Sequence, residues 1–256
     1  MKPYYADESV TLYHGDCLTT MREMPTDSVD LVFTSPPYNL GNSTGGGIAS
    51  MRSGNNTLWT GKAALADGYD DHDDAMPYAE YVEWQKAVLR ECWRLVKPTG
   101  AIYYQHKPRV QAGILQTPLA LNPDLPVRQI LIWDRGNGMN FATTHYVPMH
   151  EWIVVFAGEG FRLKNQGASG LGDVWKAAPV TGSKHPAPFP LSLPAKAIES
   201  TGARVVLDPF AGSGTTLRAA ADAGVKGIGI ELTAHYCDMA VDRLAQGVLD
   251  FGEATA

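Results

Sequence analysis

The chain has 256 residues, 45% of them hydrophobic and 19% charged, a balance that allows one sizeable core and leaves little for a second. A formal net charge of -6 excludes a general nucleic-acid coat that grips through broad electrostatics. It leaves room for a local basic face, for which Lys97, Lys107, Arg109, Arg128, Arg135, Arg162, Lys164, Lys176 and Lys184 are available. Residues Met1 to Glu8 carry no apolar run behind a basic start, and no later stretch is long and apolar enough to span a bilayer, so a cytoplasmic protein with no membrane partner is expected. Cys17, Cys92 and Cys237 are far apart and fit no metal-ligand spacing. They read as reduced core thiols, and no metal site is expected.

In chain order, short apolar runs rich in β-branched residues predict strands at Thr11 to Tyr13, Val29 to Phe33, Ala101 to Tyr104, Gln129 to Trp133, Trp152 to Ala157, Arg204 to Leu207 and Gly227 to Ile230. Helices are predicted at Tyr78 to Leu95, with Lys97-Pro98-Thr99-Gly100 as a stop signal, and at Pro194 to Ser200, Thr215 to Ala223 and Ala234 to Gln246. The alternation implies an α/β sheet with helices on both faces. Gly41 to Asp74 and Gly158 to Pro190 read as irregular. One domain over 1–256 is expected, with 41–74 and 158–184 as loop insertions contributing to DNA recognition. Arg52, Asn55, Asn56, Trp59 and Lys62 are plausible groove and phosphate contacts; a disordered linker is the plainer reading of 41–74.

Arg204-Val-Val-Leu-Asp208-Pro-Phe-Ala-Gly212-Ser-Gly214-Thr-Thr reads as a buried strand, a tight glycine turn and a helix opened by hydroxyl residues. Such glycines let a ligand approach the backbone at a strand's carboxyl end. Leu217 replaces the third glycine of a dinucleotide fingerprint and no lysine follows Gly214, which disfavours a pyrophosphate. Glu231 ends the next strand, where a carboxylate can accept from both hydroxyls of a ribose. Only one helix follows Glu231, so a further acid for an adenine amine must come from elsewhere. Asp16, after the N-terminal strand, fits if the fold is circularly permuted; it reads equally well as a helix N-cap.

Ser28-Val-Asp-Leu-Val-Phe-Thr34-Ser35-Pro36-Pro37-Tyr38-Asn39 is a buried strand running into two prolines. Prolines remove backbone donors and fix a turn, so the carbonyls around Ser35 and Pro36 are open to a ligand. Tyr38 offers a flat face for a base flipped from the duplex.

Thr34 to Asn39 resembles the (D/N/S)-P-P-Y catalytic motif of the amino-methyltransferases, and Asp208 to Gly214 resembles their cofactor motif. Because the catalytic motif comes first, the chain resembles the permuted beta class of DNA methyltransferases over nearly its whole length. That resemblance implies a Rossmann-like fold with a seven-stranded, mostly parallel, circularly permuted sheet, and S-adenosyl-L-methionine as cofactor. It implies catalytic roles for Ser35, Pro36, Pro37 and Tyr38. It implies cofactor contacts from Asp16, Thr34, His185, Pro186, Phe189, Asp208, Phe210, Gly212, Ser213, Gly214, Thr215, Glu231 and Leu232. His14-Gly-Asp16 matches the adenine-binding acid, Ile132-Trp133 through His150-Glu151 the element after the central strands, and Lys184 to Pro190 the helix entry over the methionine moiety.

In the implied mechanism a carbonyl oxygen and the Ser35 hydroxyl accept the protons of the target amine, and displacement is direct, with no metal and no covalent intermediate. No cysteine follows a proline, which speaks against carbon-5 cytosine chemistry. Ser before Pro-Pro-Tyr favours cytosine N4 over adenine N6 as the target. RNA or protein methylation and an inactive DNA-binding module are remoter readings, and a homodimer and a cognate restriction endonuclease are possible partners. The family commonly inserts a recognition domain between the elements at Glu151 and His185, where this chain has only a short segment.

Overall fold

Strands buried on both faces must be covered on both faces, and the computed structural model builds this arrangement from the apolar runs. It describes residues 1–39, 75–111, 113–136, 138, 143–180 and 189–246. The expected seven strands all form: β2 (Val10–His14), β3 (Val29–Thr34), β4 (Val96–His106), β7 (Val127–Asp134), β8 (His150–Ala157), β10 (Val205–Asp208) and β11 (Lys226–Glu231). Two short strands, β1 (Tyr5–Ala6) and β9 (Val174–Lys176), extend the edges, so the sheet has nine strands among the described residues, ordered β1-β2-β11-β10-β3-β4-β8-β7-β9. A separate hairpin joins β5 (Arg109–Gln111) to β6 (Ile114–Gln116).

The additions were invisible for a physical reason: two or three residues are too few to show a period. β9 lies in the stretch expected to be irregular, where Trp175 turns into the core between exposed Val174 and Lys176. The helix from Tyr78 stops at Leu95 as the Lys97 to Gly100 signal implies, and those four residues already belong to β4. A Cβ at Gly100 would collide with the backbone carbonyl of Asp30, so glycine there permits the close approach of β3.

Two further helices form, α1 (Cys17–Glu23), which starts from Asp16 as the N-cap reading of that residue implies, and the unexpected α3 (Gln166–Ser169), capped by Asn165. On one face of the sheet, α1 and α2 (Tyr78–Leu95) bury Met21, Tyr81, Leu89 and Leu95 against Val32, Ile102, Tyr104 and Phe156. On the other, α4 (Ser192–Thr201) and α5 (Thr215–Asp222) bury Leu193, Ile198 and Ala219 against Phe33, Tyr103 and Val206. α6 (Ala234–Ala245) packs Cys237, Ala240 and Leu244 on the cluster of Val10, Leu12 and Leu217. All three cysteines are buried free thiols, and burial pushes Cys17 and Cys237 up to about 12.

Strands β2, β11, β10, β3 and β4 are mutually parallel, whereas β8 is antiparallel to β4 and β7 to β8. One edge of the sheet therefore collects the carboxyl ends of five strands, the start of β8 and the end of β7. That edge is where an open α/β sheet presents a ligand crevice. Segment 41–74 lies outside the described residues. No described helix is long and apolar enough to cross a membrane.

Candidate active site

The parallel register sets Ser35 to Tyr38, just past β3, beside the Asp208 loop past β10. A buried carboxylate ties the two together. Asp208 is 1% exposed; Thr34 Oγ1 donates to its Oδ1 at 2.7 Å, Thr216 Oγ1 to its Oδ2 at 2.7 Å, and Phe210 N to Oδ1 at 3.0 Å. Burial pushes this carboxyl up to about 6, against the opposing hydrogen bonds of Thr216, Thr34 and Phe210.

The glycine loop is fixed from two sides. Glu231 accepts from Gly212 N through Oε2 at 2.8 Å and from Thr233 N through Oε1 at 2.9 Å. Burial raises its carboxyl above the usual range. Arg243 of α6 donates to Thr215 Oγ1 at 2.9 Å and Ser213 Oγ at 3.2 Å. Gly214 has φ +79°, and a Cβ there would lie 2.9 Å from that of Ala240. Its missing side chain thus admits α6, not only a ligand.

Asp16 is a helix N-cap, one of the two readings the sequence allowed. Its Oδ1 caps α1 by accepting from Thr19 N and Oγ1, both at 2.8 Å. Yet His14 pairs with Glu231 across β2 and β11, and Gly15 N donates to Glu231 O, so the exposed Asp16 carboxylate stands at the strand end next to Glu231. Leu232, 37% exposed, follows Glu231, and half-buried Phe210 meets the edge of Trp84 at 5.6 Å. Phe189 is a core residue 5.5 Å from Phe33. His185, Pro186 and Lys184 lie outside the described residues.

On the catalytic side, Ser35 and Tyr38 are half-buried and Pro36 and Pro37 buried. Ser35 Oγ lies 2.8 Å from the Tyr38 hydroxyl, which donates to Glu151 Oε2 at 3.0 Å. Tyr38 has one hydroxyl proton, so while Glu151 holds it Ser35 is the donor to Tyr38, and the Ser35 oxygen is left as an acceptor. Glu151, 6% exposed, also accepts from Gln105 Nε2 at 3.1 Å and Arg135 Nη1 at 3.2 Å. His106 lies under the Tyr38 ring at 4.5 Å between centroids, and burial lowers its imidazole to about 3, so this support is neutral. The Tyr81 hydroxyl donates to Pro37 O at 2.8 Å, occupying one of the carbonyls of the proline turn.

Sequence reasoning missed Gln105, His106, Tyr81, Thr216 and Arg243. A polar Gln-His pair closing the buried run Ala101 to Tyr104 of β4 was the available signal for the first two. The basic residues do not converge on one face. Lys107, Arg109, Arg135 and Lys176 reach the site edge through the ends of β4, β7 and β9, with Arg109 donating to Asn39 O at 2.8 Å. Arg128 and Arg162 bond backbone carbonyls at the opposite edge, and Lys97 pairs with Asp30 there.

A family model described as DNA methylase (N6_N4_Mtase) matches residues 29–242. The type II methyltransferase M.ScaI of Streptomyces caespitosus is 28% identical, over 95% of this chain and 84% of its own length. The DNA adenine methyltransferase YhdJ of Escherichia coli K12 is 26% identical, over 94% of this chain and 84% of its own. The solved cytosine-N4-specific PvuII DNA methyltransferase shares the fold at a TM-score of 0.72, with 17% identity over 100% of this chain and 91% of its own. The chain belongs to the N6/N4 DNA methylase family and is a DNA methyltransferase.

Proposed function

We propose that the chain transfers a methyl group to the exocyclic N4 amine of cytosine in DNA, with the N6 amine of adenine as the second reading. The methyl donor is S-adenosylmethionine. The observation that carries the reading is the directed chain from Ser35 through Tyr38 to Glu151. It turns a serine oxygen into an acceptor at the head of the proline turn, where an amine that gains a methyl group loses one proton, which Ser35 can take as its own proton passes to Tyr38 and that of Tyr38 to Glu151. The adenine reading is favoured by YhdJ, the relative named for that base.

The donor set fits an adenosyl group. Asp16 and Glu231 on neighbouring strand ends can accept from an amine and from ribose hydroxyls, and Phe210 and Leu232 supply apolar surface. The cofactor contributes an electrophilic methyl carbon on a sulfonium. The protein's work is alignment: Thr34 and Asp208 fix the serine turn against the glycine loop, and Ser35 accepts the amine proton. A single catalytic domain, circular permutation with β2 completing the cofactor half beside β11, and DNA recognition by 41–74 and 158–184 belong to the same reading. So do a cytoplasmic location, a homodimer and a cognate restriction endonuclease.

Purified protein with labelled S-adenosylmethionine is expected to label duplex DNA and not transfer RNA, ribosomal RNA or lysate protein; label on RNA or protein alone would defeat the reading. Long-read sequencing of DNA from expressing cells then gives the modified motif. Glu231→Ala is expected to weaken calorimetric S-adenosylmethionine binding by about 1 to 3 kcal/mol. Unchanged affinity would remove Glu231 from the cofactor site.

A further inference from the structure

Enzymes that act on a base inside a duplex must extrude it, and the vacated space is left unstacked. A large side chain presented outward beside the catalytic pocket can fill that space. The connection from β7 to β8 carries such a group. Tyr146 is 98% exposed, with Val147 at 41% and Met149 at 44% beside it. A fully exposed aromatic ring with apolar neighbours gains nothing from the fold, so its cost is recovered in contact with something else.

The stem below this ring is fixed to the catalytic site. Arg135 N donates to Met149 O at 3.0 Å, and Arg135 Nη2 to Pro148 O at 2.8 Å. The same guanidinium donates to Glu151, the acceptor for Tyr38. Gly138 lies against Pro148 O and Val147, closing the stem. Tyr146 is two residues before Pro148, within about 7 Å of it along the chain. The surroundings favour a polyanion: the strand ends around the stem carry Lys107, Arg109, Arg135 and Lys176 against Glu151 and Asp134, a locally positive balance on a chain of net charge -6.

We propose that Tyr146 is the wedge that enters the duplex and occupies the place of the extruded target base. The inference rests on the DNA-methylation reading above, and the occupant of this apolar rim is duplex DNA rather than a second copy of the chain or another protein. The ring acts by stacking, so its shape matters and its hydroxyl does not.

The test uses the full chain and two oligonucleotide duplexes containing the motif found by sequencing, one fully paired and one with an abasic residue opposite the target. Tyr146→Ala is expected to lower kcat/KM about tenfold on the paired duplex. The deficit should shrink toward parity on the abasic duplex, where extrusion costs little. Tyr146→Trp and Tyr146→Phe should retain wild-type rates, and S-adenosylmethionine affinity should be unchanged. Equal deficits on both duplexes, or loss of a dimer on light scattering, would overturn the wedge in favour of a structural or self-association role. A duplex with the fluorescent cytosine analogue pyrrolocytosine at the target position, which still pairs with guanine and has no free exocyclic amine, reports extrusion without methyl transfer, and its fluorescence should rise with wild type and not with Tyr146→Ala. The two readings thus fail separately: a wild type that extrudes but never methylates defeats the enzyme reading alone, and equal extrusion by both proteins defeats the wedge alone.

Discussion

Asp208→Ala is expected to lower methyl transfer about a hundredfold, the scale of a misplacement near 1 Å between reacting groups. The carboxylate joins Thr34, Thr216 and Phe210, and so sets the serine turn of β3 against the glycine loop of β10. Removing it orphans two hydroxyls and an N–H in a site almost closed to water. Asp208→Asn keeps the shape and can satisfy all three partners, since a threonine hydroxyl accepts as readily as it donates.

The asparagine variant also isolates a pH effect. Burial holds the Asp208 carboxyl at about 6, against an ordinary value of 3.8. The folded state thus keeps its proton longer than the unfolded one. The group's stabilising contribution is complete below about pH 4 and is lost as pH rises through about 6, a change of about 3 kcal/mol. Wild type should therefore lose stability relative to Asp208→Asn between pH 4 and 7 in urea unfolding. Parallel pH profiles for the two proteins would show that the carboxyl titrates normally.

The second large effect is expected at Glu151. It accepts from Tyr38, Gln105 and Arg135, and it gives the proton of Tyr38 a direction. Glu151→Ala leaves the mostly buried Arg135 guanidinium without its partner, at a cost of about 3 kcal/mol in denaturant unfolding. Glu151→Gln retains the volume and most of the stability but no longer draws the tyrosine proton, and single-turnover methyl transfer should fall by about a hundredfold. An active Glu151→Gln would reduce the hydrogen-bond chain to scaffolding.

These two carboxylates also mark how far the sequence could be read. Tyr78 to Leu95 was legible to the residue because Tyr81, Gln85, Val88, Leu89, Cys92 and Leu95 repeat at helical spacing. The strand-turn units at Thr34 to Tyr38 and Asp208 to Gly214 were legible because their chemistry is contiguous in the chain. The bonds between them were not: Thr34 to Asp208 spans 174 positions, and Tyr38 to Glu151 spans 113. Nothing local distinguishes Thr216 or Arg243 from ordinary helix residues until α5 and α6 are packed. Phe189 adds a packing partner that the motif did not announce, since its ring lies against Phe33 in the core.

The central claim is that Ser35, at the head of the chain to Glu151, accepts the amine proton of a cytosine. DNA methylated in vitro by the purified protein, digested to nucleosides and resolved by mass spectrometry, tests it most directly. The account predicts N4-methyl-2′-deoxycytidine as the new species in wild type and its loss in Ser35→Ala. N6-methyl-2′-deoxyadenosine as the sole product would contradict the cytosine assignment, and undiminished product from Ser35→Ala would contradict the role of the serine.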